Sequence, residues 1–194
     1  MGKSKDHKKL IRDQLNESAA VKAKVIELCM DDIVKAATAM IEALRDGHKV
    51  LFFGNGGSAA DAQHLACELV SKFRLERKGL PAMALTTNTS IISAISNDYH
   101  YDRVFERQVE AFGQKGDVAI GITTSGKSPY VLAALKLAKK MGLVTIGFEG
   151  DKGRMRDVVD IDICVPSSDT PRIQESHITI GHIICDVVEK ELFG

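Results

Sequence analysis

The stretch KVLFFGNGGSAADAQHL (Lys49–Leu65) joins a short apolar run to a glycine-rich loop and then to a helical pattern. Val50–Phe53 is apolar at every position, which is typical of a strand that is buried on both faces of a sheet. The loop Gly54–Ser58 follows directly and leads into a helix predicted over Ala59–Phe73. This order of strand, loop and helix predicts one unit of a parallel sheet.

The same unit recurs along the rest of the chain. Further strands are predicted at Ala82–Leu85, Val118–Ile122, Val144–Phe148 and Ile161–Val165. Further helices are predicted at Ser90–Phe112, Val131–Met141 and Ile173–Leu192. Buried strands that alternate with helices predict an α/β fold, with a doubly wound five-stranded parallel sheet covered on both faces.

The first 46 residues do not follow this alternation. Apolar residues recur at helical spacing in one segment up to Leu28 and in a second segment from Ile33 to Leu44. Asp31 and Asp32 can cap the start of the second segment, and Gly47 can end it, so two helices are predicted. The sheet does not need them, and we expect their apolar faces to pack in an oligomer.

Length and composition narrow the class of protein. With 194 residues and no repeat or long linker, we expect a single domain over residues 1–194, of which residues 1–46 are an N-terminal helical extension. Lysine and arginine total 26, as do aspartate and glutamate, so no basic excess predicts a nucleic acid or anionic membrane partner. The four cysteines lack paired spacing, which favours reduced thiols and a cytoplasmic location.

Two loops have the chemistry of a phosphate site. In doubly wound sheets, ligands bind at the carboxyl ends of strands, where helix N-termini offer N–H groups to anions. Gly54–Ser58 follows one predicted strand, and Thr123–Ser128 follows another. The second loop carries the hydroxyls of Thr123, Thr124, Ser125 and Ser128, which suit the oxygens of a terminal sugar phosphate. Two such loops at equivalent strand ends favour a binding site over plain turns.

Both loops also match nucleotide-binding patterns. The first fits the dinucleotide fingerprint G-x-G-x-x-A, but the next strand, Ala82–Leu85, ends without the carboxylate that would hold a ribose. Gly121–Ser128 fits the P-loop pattern G-x-x-x-x-G-K-[ST], but Gly121 belongs to an apolar strand and Pro129 follows at once. We therefore disfavour a dinucleotide or NTP-hydrolysing enzyme.

His64 and Glu68 are four residues apart on a predicted helix, so they project from one face. An imidazole and a carboxylate in this arrangement can form half of a transition-metal site. The last predicted helix can supply the other half from Gln174, Glu175, His177 and His182. Helical spacing pairs Gln174 with His177. It equally pairs His182 with Asp186, and it does not choose between the two.

Four segments together resemble the phosphoheptose isomerases, which act on sedoheptulose 7-phosphate and form a branch of the sugar isomerase (SIS) domain superfamily. They are GNGGSAADAQHLACEL (Gly54–Leu69), ISNDYHYDRVF (Ile95–Phe105), ITTSGKSPYV (Ile122–Val131) and TPRIQESHITIGHIICDVVE (Thr170–Glu189). The likeness runs over essentially the whole chain. It implies a flavodoxin-like SIS domain and a cytoplasmic homotetramer with active sites between subunits.

The resemblance also implies a set of site residues. Zinc, one ion per subunit, would be bound by His64, Glu68, Gln174 and His182. Other divalent ions are expected to replace it, since a neutral glutamine is a weak ligand. Glu68 would be the catalytic base and His182 the catalytic acid. The substrate-binding positions would be Asn55, Gly56, Gly57, Ser58, Glu68, Asn97, Asp98, Thr123, Thr124, Ser125, Ser128, Asp169, Arg172 and Gln174.

The implied reaction is the metal-assisted conversion of D-sedoheptulose 7-phosphate to D-glycero-D-manno-heptose 7-phosphate through an enediol. It would be the first step in the synthesis of ADP- or GDP-heptose precursors for lipopolysaccharide or capsule. Two positions depart from the family pattern: Thr123 stands where serine is common, and Lys127 stands where asparagine is usual.

One alternative function is that of a non-catalytic SIS protein that binds a replication initiator, although such relatives tend to lack the equivalents of Glu68 and His182. Another is an isomerase of a pentose or amino-sugar phosphate.

Overall fold

A computed structural model describes the backbone of residues 2–194 and the side-chain surroundings of residues 6–194; Met1, the first residue of the predicted domain, lies outside the described residues. Within this range the chain forms five strands and six α-helices. The strands are β1 (Val50–Gly54), β2 (Ala82–Ala84), β3 (Val118–Ile122), β4 (Val144–Gly150) and β5 (Ile161–Val165). The helices are α1 (Gly2–Arg45), α2 (Gly57–Val70), α3 (Thr89–Asp98), α4 (Val104–Phe112), α5 (Pro129–Lys140) and α6 (Thr170–Phe193).

The sheet is parallel throughout, with strand order β2-β1-β3-β4-β5. This is the flavodoxin-like order, and it confirms the predicted doubly wound α/β fold. The chain changes direction across the sheet between β1 and β3, which are neighbours with Gly54 opposite Ile122. The loops that follow these two strands therefore start side by side, at the place where such sheets bind ligands.

Two apolar layers cover the sheet. Because successive residues of a strand point to opposite faces, Phe52 packs with α1, α2 and α6, whereas Phe53 packs with α4 and α5. Both side chains are fully buried. No helix in the described part of the chain has the length and apolar composition that crossing a membrane requires.

The prediction of two leading helices is wrong, since α1 runs without a break from Gly2 to Arg45. One buried stripe passes straight through the expected boundary, at Val21, Val25, Cys29, Ile33, Ala37 and Leu44. Asp32 does not cap a helix start, because its carboxylate accepts a hydrogen bond from Lys35 one turn later on the exposed face. With no glycine or proline between residues 3 and 46, nothing interrupts the helix.

The predicted helix Ser90–Phe112 is also wrong as a single element. It is divided into α3, a short 3₁₀ turn at Tyr101–Arg103, and α4. His100 has extended backbone angles, and this break turns α4 so that Val104, Phe105 and Val109 are buried. The other predicted helices and strands are confirmed to within three residues at each end.

Candidate active site

A cavity of about 320 Å³ lies between the loops that follow β1 and β3. Its polar lining is formed by Asn55, Ser58, Thr123, Thr124, Ser128 and Gln174. The structure thus brings the two predicted phosphate-type loops to one cavity. Ser125, the remaining predicted hydroxyl, lines a smaller neighbouring cavity of about 170 Å³ that shares Thr124 with the first.

The glycine loop owes its shape to two close approaches. A side-chain carbon at Gly54 would lie 2.7 Å from the carbonyl oxygen of Ile122, so only glycine lets β1 continue this close to β3. A side-chain carbon at Gly57 would overlap the carboxamide of Gln174 on α6. Gly56 has a positive φ of 57°, which glycine adopts without strain. These glycines shape the wall of the cavity.

Three potential metal ligands meet where α2 and α6 run side by side. The Nε2 atoms of His64 and His182 are 2.8 Å apart, and Nε2 of His64 lies 3.0 Å from Oε1 of Glu68. Ligand atoms of all three residues lie within 4.8 Å of one another. Two ligands of a tetrahedral zinc ion are about 3.3 Å apart, given zinc–nitrogen distances of about 2.0–2.1 Å. The donors and their spacing therefore fit zinc.

Gly181 explains why the two helices come so close. A side-chain carbon there would lie 2.5 Å from the end of Leu65 on α2. The absence of that carbon lets α6 pack tightly against α2 and brings His182 to His64. Helical spacing left the choice between His177 and His182 open, and the structure separates them: His177 is buried and its Nε2 lies 3.2 Å from the carbonyl oxygen of Glu149.

Gln174 lies eight residues before His182 on α6, which corresponds to about 12 Å along the helix axis. It contacts the glycine loop and lines the cavity. Its place among the metal ligands stays a prediction.

Four predicted substrate residues lie outside both cavities, the glycine loop and the donor cluster in the described part of one subunit. Asn97 and Asp98 are at the end of α3, where the Asn97 carboxamide donates to Oδ1 of Asp98 at 2.9 Å. Asp169 precedes α6 and is exposed. Arg172 is buried against α1, where it donates to the carbonyl oxygen of Gln14. Their roles in substrate binding stay predictions.

Comparison with known proteins places this geometry in a family. Residues 14–150 match the model of the SIS domain family. The chain is 54% identical over 190 residues to the phosphoheptose isomerase of Clostridium acetobutylicum, an alignment that covers 96% of this chain and 97% of that protein. The chain belongs to the phosphoheptose isomerase family.

Two more members of the phosphoheptose isomerase family extend the comparison. The chain is 59% identical over 162 residues to the Geobacter sulfurreducens phosphoheptose isomerase, over 83% of this chain and 86% of that protein. The solved structure of the phosphoheptose isomerase from Neisseria gonorrhoeae superposes with a TM-score of 0.89 at 39% identity, over 94% of this chain and 98% of that one. The resemblance drawn from four sequence segments is confirmed.

The sequence patterns did not predict a buried ion pair that lies beside the cluster of His64, Glu68 and His182. Nε of Arg77 lies 2.9 Å from Oε1 of Glu189, and both side chains are at most 2% exposed. Arg77 also donates to the carbonyl oxygen of Glu68 at 2.9 Å. The ring of Phe73, in the same segment, packs against His182 with centroids 5.6 Å apart. Little in the sequence indicates this pair, because a charged residue in an apolar helix has many possible partners.

A second unpredicted group, Glu149, lies beneath the loop Thr123–Ser128. Its carboxyl group contacts Gly126 and accepts a hydrogen bond from the Met155 N–H at 2.9 Å. Burial raises the pKa of Glu149 to about 7, and the nearby Asp162 carboxyl adds to the rise. The carboxyl group is therefore partly protonated at neutral pH.

This raised pKa predicts a pH-dependent stability. Because the folded protein binds the proton more tightly than the unfolded chain, the stabilising contribution of Glu149 is complete below pH 4.5 and is lost as the pH rises toward 7. Glutamine does not titrate, so Glu149→Gln does not lose this contribution as the pH rises. The free energy of unfolding of the variant, minus that of the original protein, should therefore increase by about 2 kcal/mol between pH 5 and pH 8. Urea denaturation at a series of pH values measures it.

Asp160→Asn provides a control of opposite sign. Burial would raise the pKa of Asp160, but hydrogen bonds from Thr145 and Lys139 outweigh it and lower the pKa. The asparagine variant should therefore lose stability relative to the original protein as the pH rises from acid to neutral. Equal pH dependence of Glu149→Gln and the original protein would contradict the assignment.

Proposed function

We propose that the protein converts D-sedoheptulose 7-phosphate to D-glycero-D-manno-heptose 7-phosphate by aldose–ketose isomerisation; its relatives are named phosphoheptose isomerases. The observation that carries the proposal is the arrangement on α2 and α6. The hydroxyl-lined cavity lies beside Ser58 on α2 and Gln174 on α6, and the donors His64, Glu68 and His182 lie roughly two to three turns further along these helices. An anion-binding end and a proton-transfer end are what a sugar phosphate isomerase needs.

The chemistry moves one proton between neighbouring carbons. A base removes a proton from C1 of the ketose to form an enediol, and the proton returns at C2 to give the aldose, while an acid serves the two oxygens. Glu68 is our candidate base and His182 our candidate acid. Glu68 has two oxygens: Oε1 lies beside His64, and we assign proton transfer to Oε2.

We further propose one zinc ion per subunit, with other divalent ions as substitutes. His64, Glu68 and His182 would hold it, and Gln174 would be the fourth ligand if its side chain reaches along α6. When bound, the ion would supply Lewis-acid polarisation of the sugar carbonyl. The donor set of two imidazoles and one carboxylate supports zinc, and a glutamine ligand would make the ion easy to remove.

The phosphate and the sugar would occupy the cavity at the strand ends. We assign their binding to Asn55, Gly56, Gly57, Ser58, Thr123, Thr124, Ser125 and Ser128. Lys127 belongs to the second of these loops, Thr123–Ser128, and lines the neighbouring cavity, where its charge would favour an anion. Asn97, Asp98, Asp169 and Arg172 would approach the substrate only in the assembled oligomer, since they lie outside the cavity within one subunit.

That oligomer is proposed to be a homotetramer with active sites between subunits. Four apolar side chains on α1 are each at least 59% exposed, which supports burial of this helix against other copies: Leu10, Ile11, Leu15 and Leu28.

We also propose that residues 1–194 form one SIS domain and that the protein is cytoplasmic. Its product would feed the heptose precursors of lipopolysaccharide or capsule.

Metal removal tests the proposal directly. Incubation with D-sedoheptulose 7-phosphate should give an aldoheptose phosphate, and a chelator should lower this turnover by roughly 10²-fold or more, since a Lewis acid contributes several kcal/mol. Added zinc should restore it, and metal analysis should find one ion per subunit in the active protein. Pentose and amino-sugar phosphates, assayed at the same concentration, test the alternative substrates. Full activity after verified metal removal would contradict the ligand assignment.

A further inference from the structure

Tyr101 lies in the 3₁₀ turn between α3 and α4, a segment to which the proposed chemistry gives no role. Its hydroxyl donates a hydrogen bond to Oδ1 of Asn55 at 3.0 Å. Its ring meets that of Tyr130 edge to face, with centroids 5.3 Å apart and planes at 89°. Since Tyr130 and Asn55 both line the phosphate-type cavity, Tyr101 supports that cavity from outside.

The hydrogen bond from Tyr101 fixes which way the Asn55 carboxamide faces. Its oxygen is held by the tyrosine hydroxyl, so its NH₂ group faces away, and Nδ2 donates to Oγ of Ser128 at 3.3 Å. A carboxamide turned by half a rotation would present its oxygen to Ser128 instead. Tyr101 therefore selects one of two orientations of similar shape and opposite polarity.

The orientation of Asn55 in turn decides what Ser128 can do. Because Oγ of Ser128 accepts a hydrogen bond from Asn55, its own hydroxyl proton is free to point into the cavity. Ser128 is the N-cap residue of α5, and its side chain forms no capping hydrogen bond there. Its hydroxyl thus offers a hydrogen bond to an anion beside the first N–H groups of a 12-residue helix.

We propose that Tyr101 is a positioning residue that fixes the direction of a donor chain from Tyr101 through Asn55 and Ser128 to the phosphate group of the substrate. Each bond in such a chain polarises the next, and the last is a hydrogen bond to a charged acceptor. This inference rests on the proposed function for the identity of the phosphate as a sugar phosphate. The chain itself is testable with inorganic phosphate.

The test uses Tyr101→Phe in the full-length, metal-loaded protein. Calorimetric titration should show that the Kd of inorganic phosphate rises by roughly fivefold, the usual effect of one lost hydrogen bond. The KM for D-sedoheptulose 7-phosphate should rise by the same factor, with kcat changed by less than about twofold, because the phosphate is bound equally in ground and transition states. Tyr99→Phe is the matched control, since its ring lies under Arg103 and Arg107 instead. It should change neither constant.

A double-mutant cycle separates a donor chain from plain structural support. In an Asn55→Ala background the Tyr101→Phe change should have no further effect on phosphate affinity, since the chain is already broken. An unchanged Kd for phosphate in Tyr101→Phe, full additivity with Asn55→Ala, or a wild-type protein that binds no phosphate would each overturn the inference. Wild-type protein that binds phosphate but does not isomerise the heptulose phosphate would refute the proposed function, while the phosphate affinities would still decide the role of Tyr101.

Discussion

Replacing Glu68 by glutamine is expected to lower kcat on D-sedoheptulose 7-phosphate by roughly 10³-fold, within the 10²–10⁴ that general acid–base catalysis contributes. Glutamine keeps the size of the side chain and an oxygen toward His64, but it cannot accept a proton from carbon. The Glu68 side chain is 21% exposed, so a neutral amide there should leave the fold intact. The proton transfer step should therefore be lost selectively.

The measurement that isolates this step is exchange of the C1 hydrogen of D-sedoheptulose 7-phosphate with solvent deuterium, followed by NMR in the original protein and in Glu68→Gln. Metal content is determined on the same samples, because loss of the ion would lower turnover for a different reason. Glu110→Gln, which removes an exposed carboxylate paired with Arg107 on α4, is the control and should exchange at the original rate. If Glu68→Gln with its full metal content exchanged hydrogen at the rate of the original protein, Glu68 would not be the base. Asp98 would then be the next residue to test.

The strands of the sheet could be predicted from the sequence because the apolar pattern that marks each strand is local. Every residue of β1 and β3 is buried, and an unbroken apolar run of five residues leaves few alternatives. The two errors in helix boundaries have a different origin. Asp31 and Asp32 have the composition of a helix cap but lie on the exposed side of α1, and His100 breaks a helix without glycine or proline. In α1 the apolar spacing continues past both aspartates, so the capping residues were misleading there; at His100 tertiary packing decided the break, and periodicity does not encode it.

Residue spacing could predict the part of the candidate site that lies on α2, but not the residue of α6 that completes it. The four-residue spacing of His64 and Glu68 puts both on one face of α2, which any helix guarantees. That His182 rather than His177 completes the cluster depends on how α6 lies against α2, and Gly181 controls this through a contact with Leu65 more than 100 residues away in sequence. The family resemblance supplied that choice. The hydrogen bonds that join Tyr101, Asn55 and Ser128 likewise link three segments, and no spacing rule connects them.

The buried pair Arg77 and Glu189 should have the largest effect on stability. Glu189 accepts hydrogen bonds from the N–H groups of Phe73, Arg74 and Leu75, and these bonds lower its pKa against the opposing effect of burial. Arg77 donates to the carbonyl oxygens of Leu69 and Ser71 as well as to Glu68. The pair thus ties the segment after α2 to α6, the two helices that carry the donor cluster.

Glu189→Ala is expected to lower the free energy of unfolding by about 3–5 kcal/mol, because it leaves a buried guanidinium and three N–H groups without their acceptor. Arg77→Ala should cost about 3 kcal/mol, since the three N–H groups still hold the Glu189 carboxylate. Urea denaturation measures both. Arg74→Ala is the control: this neighbouring arginine is 68% exposed and pairs with Asp186 at the surface, so its loss should cost less than about 1 kcal/mol.

The double variant distinguishes an ion pair from two independent contacts. Once Glu189 is gone, Arg77 is an unpaired buried cation, and its removal should recover part of the lost stability. The cost of the double variant should therefore fall short of the sum of the single costs by about 1–3 kcal/mol. Strict additivity would mean that the two side chains stabilise the segment separately. In that case Glu189 would hold the segment through the N–H groups of residues 73–75, and Arg77 would act through the carbonyl oxygens to which it donates.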